Sequence, residues 1–197
     1  TMAAYLVEGN FSRSGEWIKR LMNQDPELLH ALLASLARAT GSYLRAQLEA
    51  GADAVQLFDT WAGLLSGEDY RRFALPYQEA VFAAIADLGA PAILYVNGAS
   101  HLLDEMSSSG AGVLSVDWRT GLREARGRLG PEIGLQGNLD PSLLFGEAEN
   151  VRIKTDEILD EMSGDPGFIF NLGHGVLPET PVESVRALVE TVRARAG

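Results

Sequence analysis

A (β/α)8 barrel, with about six of its eight βα units present, is the fold this sequence predicts, on two observations. Short apolar runs alternate with longer amphipathic stretches, and nearly every run ends in a polar or glycine-containing cluster. The runs are residues 3–7, 54–58, 92–96, 112–116, 133–136 and 168–172. Each is about 4–6 residues long, which suits a strand buried on both faces better than a helix.

The stretches between them carry helix signals in chain order. Asp25-Pro26-Glu27 supplies an N-cap, a proline in the first turn and an acid beside it. Leu28, Leu29, Leu32, Leu33, Leu36, Tyr43, Leu44 and Leu48 follow at near-helical spacing, and Gly51 ends the pattern. Ser66-Gly67-Glu68-Asp69 opens a second helix, expected to run towards Leu88-Gly89. Thr180-Pro181-Val182-Glu183 reads as a capping box and opens the last helix, expected through Val192.

Alternating strands and helices of this kind build a parallel sheet. The clusters that follow the runs choose between its two forms. They are Glu8-Gly9-Asn10, Asp59-Thr60, Asn97-Gly98, Asp117-Trp118, Gln136-Gly137-Asn138-Leu139-Asp140 and Asn171-Leu172-Gly173-His174-Gly175. A barrel gathers all its strand C-termini on one functional face, whereas a doubly wound sheet concentrates polar residues at one switch point. Six clusters after six runs favour the barrel. Eight strands and about 250 residues are usual for that fold, so residues 1–197 read as a single domain two strands short.

Composition narrows the function. The chain is 46% hydrophobic and 22% charged, an ordinary globular balance for 197 residues. No apolar run approaches the ~20 residues of a membrane span, and the first residues lack the basic region of a signal peptide. A net charge of −11 argues against nucleic acid and anionic membrane as partners, since both need a positive field. It leaves room for an anionic small molecule held by a few arginines. The absence of cysteine excludes disulfides and thiolate chemistry, and is compatible with a cytoplasmic location.

Several motifs bear chemistry. In Asn171-Leu172-Gly173-His174-Gly175, two glycines let the backbone bend and keep side chains clear of a ligand, while His174 can move a proton near neutral pH. The plainer reading is a turn whose histidine caps a carbonyl. In Leu135 to Pro141, Gly137 suits close approach of the backbone, Gln136 to Asn138 line a pocket, and Asp140 reads as a helix cap. Asp59 could be a base, a ligand or, most commonly for a lone aspartate, a loop organiser. Tyr5 offers a phenol within an apolar run, where tyrosines mostly pack. His30 and His101 read as surface or capping residues. No metal-ligand spacing, phosphate-binding glycine loop, dinucleotide fingerprint or nucleophile elbow is present.

The motifs themselves carry a resemblance. Tyr5-Leu6-Val7-Glu8-Gly9, Leu57-Phe58-Asp59-Thr60-Trp61-Ala62-Gly63, Asp117-Trp118, Leu135-Gln136-Gly137-Asn138-Leu139-Asp140-Pro141 and Phe170-Asn171-Leu172-Gly173-His174-Gly175 resemble, in order and spacing, the motif series of uroporphyrinogen decarboxylases. Phe73-Ala74-Leu75-Pro76-Tyr77 is similar to a helix of that family. The resemblance implies a cofactor-free, metal-free carboxy-lyase of haem biosynthesis. Such an enzyme converts the four acetate side chains of uroporphyrinogen III to methyl groups, giving coproporphyrinogen III, and works as a cytoplasmic homodimer.

By motif, Tyr5 and His174 match the family's catalytic tyrosine and histidine. Thr60 stands where the family has a hydroxyl near a substrate carboxylate, and Phe58 supplies apolar wall for the macrocycle. Asn138 and Gly173 fall among the substrate-binding positions. The family's Arg-rich motif and its pyrrole-binding aspartate have no counterpart in the sequence, and the first run resembles the family's third strand. The chain by itself is therefore expected to be inactive. Asn10-Phe11 replaces the family's smaller residues after Gly9. Two other readings are a zinc-dependent corrinoid or thiol methyltransferase of the same superfamily, for which Tyr95-Val96-Asn97-Gly98 lacks the thiolate, and a non-catalytic truncated barrel.

Overall fold

The computed structural model describes residues 1–9 and 15–195. They fall into two compact units, Thr1–Leu114 and Ser115–Gly197. Asn10 and Phe11 lie outside the described residues.

The first unit begins with a correction. Residues 3–7 form not a strand but helix α1 (Met2–Glu8), with the Tyr5 N–H donating to the Thr1 carbonyl at 3.1 Å. A five-residue apolar run does not by itself separate helix from strand. Here Met, Ala and Leu favour the helix, and Gly9, in the left-handed region at φ 70°, ends it. Helix α2 (Glu16–Gln24) follows, its first turn held by Glu8, whose carboxylate accepts from the N–H groups of Trp17 and Ile18 at 2.8 and 3.0 Å.

Helix α3 (Pro26–Glu49) starts where expected, with the Asp25 carboxylate accepting from the Leu28 N–H at 3.1 Å. Met22, Leu29 and Phe73 form a buried cluster, with Ile18, Leu21, Leu32, Leu33 and Leu65 packed around it. The helix expected from Ser66 to Leu88 is divided into α4 (Gly67–Phe73), α5 (Leu75–Ala83) and a short 3-10 turn at Ala86–Leu88. Pro76 has no N–H to bond the preceding turn, so the chain breaks step at Ala74 and restarts with proline in the first turn of α5. Helices α3 and α5 approach closely at Gly41, where an added Cβ would stand 2.8 Å from that of Ala84. The Arg45 Nε also donates to the Ala84 carbonyl at 3.0 Å.

Strands β1 (Val55–Phe58) and β2 (Ala92–Tyr95) run parallel, Val55 opposite Ala92 and Phe58 opposite Tyr95. Ile93, Leu94 and Tyr95 are all buried, as an uninterrupted apolar strand requires. Helix α6 (Leu103–Ser107) leads to β3 (Val113–Ser115). The Gly112 N–H donates to the Ala92 carbonyl at 3.0 Å, so the strand order in this unit is β1-β2-β3.

The second unit opens on the end of β3, where the Val116 N–H donates to the Gln136 carbonyl at 2.9 Å. After α7 (Leu122–Leu129) comes β4 (Gly134–Leu139), parallel to β5 (Phe168–Leu172), with Leu135 opposite Phe168 and Leu139 opposite Leu172. The order here is β3-β4-β5. Asp140 is the expected cap: its carboxylate accepts from the Ser142 N–H at 2.8 Å, opening a short 3-10 helix at Pro141–Phe145. Helices α8 (Ala148–Glu161) and α9 (Val182–Arg195) follow, the latter longer than expected. Leu139, Leu144 and Val151 form the core, with Leu143, Ile158 and Val185 against it. Arg126 ties α7 to its surroundings, donating from Nε to Asp165 at 2.7 Å and from Nη1 to the carbonyls of Gly130 and Ile133, both at 2.6 Å.

Both units are thus α/β with parallel strands. Five strands are formed among the described residues, one fewer than the sequence predicts, because the first expected strand is α1.

Candidate active site

In the first unit the candidate residues gather at the C-terminal end of β1. Phe58 is its last residue, 62% exposed, with its ring tilted against Tyr95 at a centroid distance of 6.0 Å. Thr60 opens a 3-10 turn (Thr60–Leu64) and accepts at its carbonyl from the Asn97 N–H at 3.2 Å, tying the end of β1 to the segment after β2. Gly63 completes that tie. A Cβ there would lie 1.9 Å from the Asn97 carbonyl oxygen.

Tyr5 joins this group from α1. Its ring packs on Trp61 at 4.8 Å while remaining 48% exposed, so the phenol is open to a ligand and the ring has a fixed neighbour. The attachment of α1 is polar as well. The Trp61 N–H donates to the Thr1 hydroxyl at 3.0 Å.

Asp59 is the hub of this end. Its carboxylate accepts from Gln78 Nε2 at 2.9 Å, and Gln78 Oε1 accepts in turn from the hydroxyl of the fully buried Tyr70. Burial, with the Asp59 charge in second place, raises the Tyr70 phenol well above its ordinary value. Asp59 therefore links the end of β1 to α5 through Gln78. Gln78 and Tyr70 lie on α5 and α4, and no local motif marks either; only their burial beside a carboxylate reveals them.

In the second unit Asn138, Gly173 and His174 follow one another along the ends of β4 and β5. Asn138 is buried, and its amide donates to the carbonyls of Asp117 and Thr120 at 3.0 and 2.6 Å, fixing the loop after β3. The glycines divide the two duties the sequence gives them jointly. A Cβ on Gly173 would stand 2.6 Å from the Trp118 nitrogen and 3.2 Å from the Asn138 carbonyl oxygen, whereas one on Gly175 meets nothing within 4 Å. Neither has positive φ, so close approach, not a left-handed bend, is what requires glycine at 173. Gly137 approaches the Val116 carbonyl in the same way, with 2.7 Å to an added Cβ.

His174 is exposed, and its Nδ1 accepts from the Gly175 N–H at 2.6 Å. Arg119 belongs to the same end, its guanidinium 4.1 Å above the Trp118 ring and its main-chain N–H donating to Asp117 at 2.8 Å. The sequence reading stops at Asp117-Trp118 and misses this cation, although it is the next residue.

Of the remaining histidines, His30 packs half-buried and His101 is exposed beside a carbonyl. His30 Nδ1 lies 2.6 Å from the Tyr77 hydroxyl and its ring stacks on Phe73 at 4.8 Å, while His101 Nε2 lies 3.0 Å from the Leu65 carbonyl. Among the described residues no group of three or more His, Cys, Asp or Glu is placed to hold a metal ion, and no helix is long and apolar enough to cross a membrane.

A family model described as uroporphyrinogen decarboxylase (URO-D) matches residues 1–195. A uroporphyrinogen decarboxylase of Streptomyces coelicolor is 50% identical over 195 residues, covering 99% of this chain and 55% of that protein. One from Nostoc punctiforme is 48% identical over 197 residues, covering 98% of this chain and 55% of that protein. Among solved structures, a methyltransferase from Methanosarcina mazei matches with a TM-score of 0.82 and 25% identity, over 93% of this chain and 54% of that one. The chain spans about half the length of the curated relatives it matches.

Proposed function

This chain belongs to the uroporphyrinogen decarboxylase family and carries part of its α/β barrel, and on that footing we propose that it serves the decarboxylation of uroporphyrinogen III to coproporphyrinogen III. The family match along residues 1–195 is the observation that carries the reading. Identity near 50% to decarboxylases, against 25% to the methyltransferase, favours the lyase over methyl transfer.

In this reading residues 1–197 are one barrel domain that becomes active only with the remainder of the family's length. The substrate acts as its own electron sink: a pyrrole α-carbon takes a proton, and the cationic ring accepts the electron pair released as carbon dioxide leaves. No metal or organic cofactor is then needed, and the protein's tasks are to donate a proton, hold carboxylates and exclude water. Tyr5 and His174 are the catalytic groups. The Thr60 hydroxyl serves as a polar substrate contact, Asn138 serves the substrate site by fixing the loop after β3, Gly173 allows close approach, and the exposed Phe58 ring gives apolar wall. A cytoplasmic homodimer completes the reading.

The test is decarboxylation of uroporphyrinogen, with products separated by carboxylate number, by the chain alone and with a polypeptide carrying the family's Arg-rich segment added. Activity is expected only after addition, with loss of at least tenfold in Tyr5→Phe and His174→Ala. Full activity of both variants in the complemented enzyme would refute the assignment.

A further inference from the structure

The hydrogen-bonded cluster Tyr70–Gln78–Asp59 lies behind β1. We propose that Gln78, itself oriented by Tyr70, is a positioning residue for Tyr5, acting through Asp59; the inference rests on the reading of Tyr5 given above.

The path is continuous and lies within the first unit. The buried Tyr70 hydroxyl donates to Gln78 Oε1, which leaves the Gln78 amide hydrogens to point the other way, and Nε2 donates to Asp59 at 2.9 Å. A glutamine fixed at its oxygen has its nitrogen fixed too, so Asp59 receives a bond from one defined direction. Asp59 passes this on along its own chain: two residues on, the Trp61 ring packs on Tyr5 at 4.8 Å. The Trp61 N–H also donates to the Thr1 hydroxyl at the start of α1, so the same residue meets the ring and its helix.

Tyr5 is thus held by its helix and by its ring neighbour, and both holds lead back to Trp61, two residues beyond Asp59. Gln78 is 2% exposed and Tyr70 fully buried, so neither can touch a substrate. Their influence has to be indirect, through the place they give Asp59. A phenol that hydrogen-bonds a substrate is sensitive to such placement, since a misplacement of ~1 Å costs on the order of 100-fold in rate.

The test uses the whole chain labelled with 5-fluorotryptophan, of which it has three positions. The Trp61 signal is assigned with Trp61→Phe, and Tyr5→Leu gives its position when the ring contact is lost. Gln78→Met keeps the volume and removes both hydrogen bonds. Its Trp61 signal is expected to move towards the Tyr5→Leu position, at temperatures well below the melting midpoint. Tyr70→Phe should move it the same way by less, since Gln78 remains. In the complemented enzyme Gln78→Met should lower kcat about 10–100-fold with KM nearly unchanged.

An unmoved Trp61 signal in Gln78→Met overturns the proposal. So does a moved signal with kcat retained while Tyr5→Phe is inactive, because the cluster then supports the fold without placing the phenol. If Tyr5→Phe is itself fully active, the assignment of Tyr5 falls and takes its positioning residue with it. The Trp61 signal, read without any turnover, then shows whether the structural link was real.

Discussion

Replacing Gly173 by alanine tests the reason for glycine in the Gly173-His174-Gly175 segment. The added methyl carbon would stand 2.6 Å from the Trp118 nitrogen, 3.1 Å from Trp118 Cε3 and 3.2 Å from the Asn138 carbonyl oxygen. Relief to ordinary contact needs a movement of about 0.8 Å at the first of these. Neither side gives easily. The Gly173 N–H is bonded to the Leu139 carbonyl at 2.8 Å, and Trp118 follows Asp117, whose carbonyl is held by Asn138. Two of the three obstructing atoms are main chain, so no side-chain rotation removes them.

Overpacking of this kind costs about 1–3 kcal/mol, and the rigidity on both sides places Gly173→Ala near 3 kcal/mol. At roughly 2–4 °C per kcal/mol for a chain of this length, the melting midpoint should fall by about 6–12 °C. Gly175→Ala is the internal control: its methyl meets nothing within 4 Å, and a change within about 0.5 kcal/mol is expected. Urea titration followed by circular dichroism, with equal slopes for both variants, reads the difference. Equal midpoints for the two variants, or a larger loss at Gly175, would refute the close-approach argument.

Two further outcomes follow from the half-buried Arg126 and the fully buried Tyr70. Arg126→Met leaves the Asp165 carboxylate and the carbonyls of Gly130 and Ile133 without the guanidinium, and should cost about 2–4 kcal/mol by urea titration; a loss below about 0.5 kcal/mol would mean that water replaces it freely. Tyr70 gives a pH dependence. Its folded-state ionisation is raised by burial and by Asp59, so its contribution is complete below the unfolded value of about 10 and is lost as pH rises above it. Unfolding midpoints measured between about pH 9 and 11 should fall less steeply in Tyr70→Phe than in the parent chain, and identical slopes would argue against it.

What the sequence makes legible is what local rules decide. Asp25-Pro26 and Asp140-Pro141 place helix starts because a carboxylate and a following proline act within one turn. The runs ending at Phe58 and Leu172 are strands because nothing in them favours another state. Residues 3–7 are misread because their apolar length suits either period, and a glycine such as Gly9 suits the end of a strand as well as the left-handed end of a helix. The long helix after Ser66 is misread for a related reason: Pro76 lies inside the pattern, and its missing N–H outweighs the apolar spacing. In the site, Tyr5, Thr60, Phe58 and His174 stand out by motif. Gln78 and Tyr70 do not, because their importance comes from a hydrogen-bond path between elements far apart in the chain.

The contact between Gly41 and Ala84 has a meaning for how such sequences diverge. With only 2.8 Å available to a Cβ at position 41, the two sites share one methyl's worth of space. Either position is free to grow only when the other gives way, so an alanine at 41 calls for a glycine at 84. The cost of a change at either position therefore depends on its partner, so Gly41→Ala combined with Ala84→Gly should destabilise less than Gly41→Ala alone.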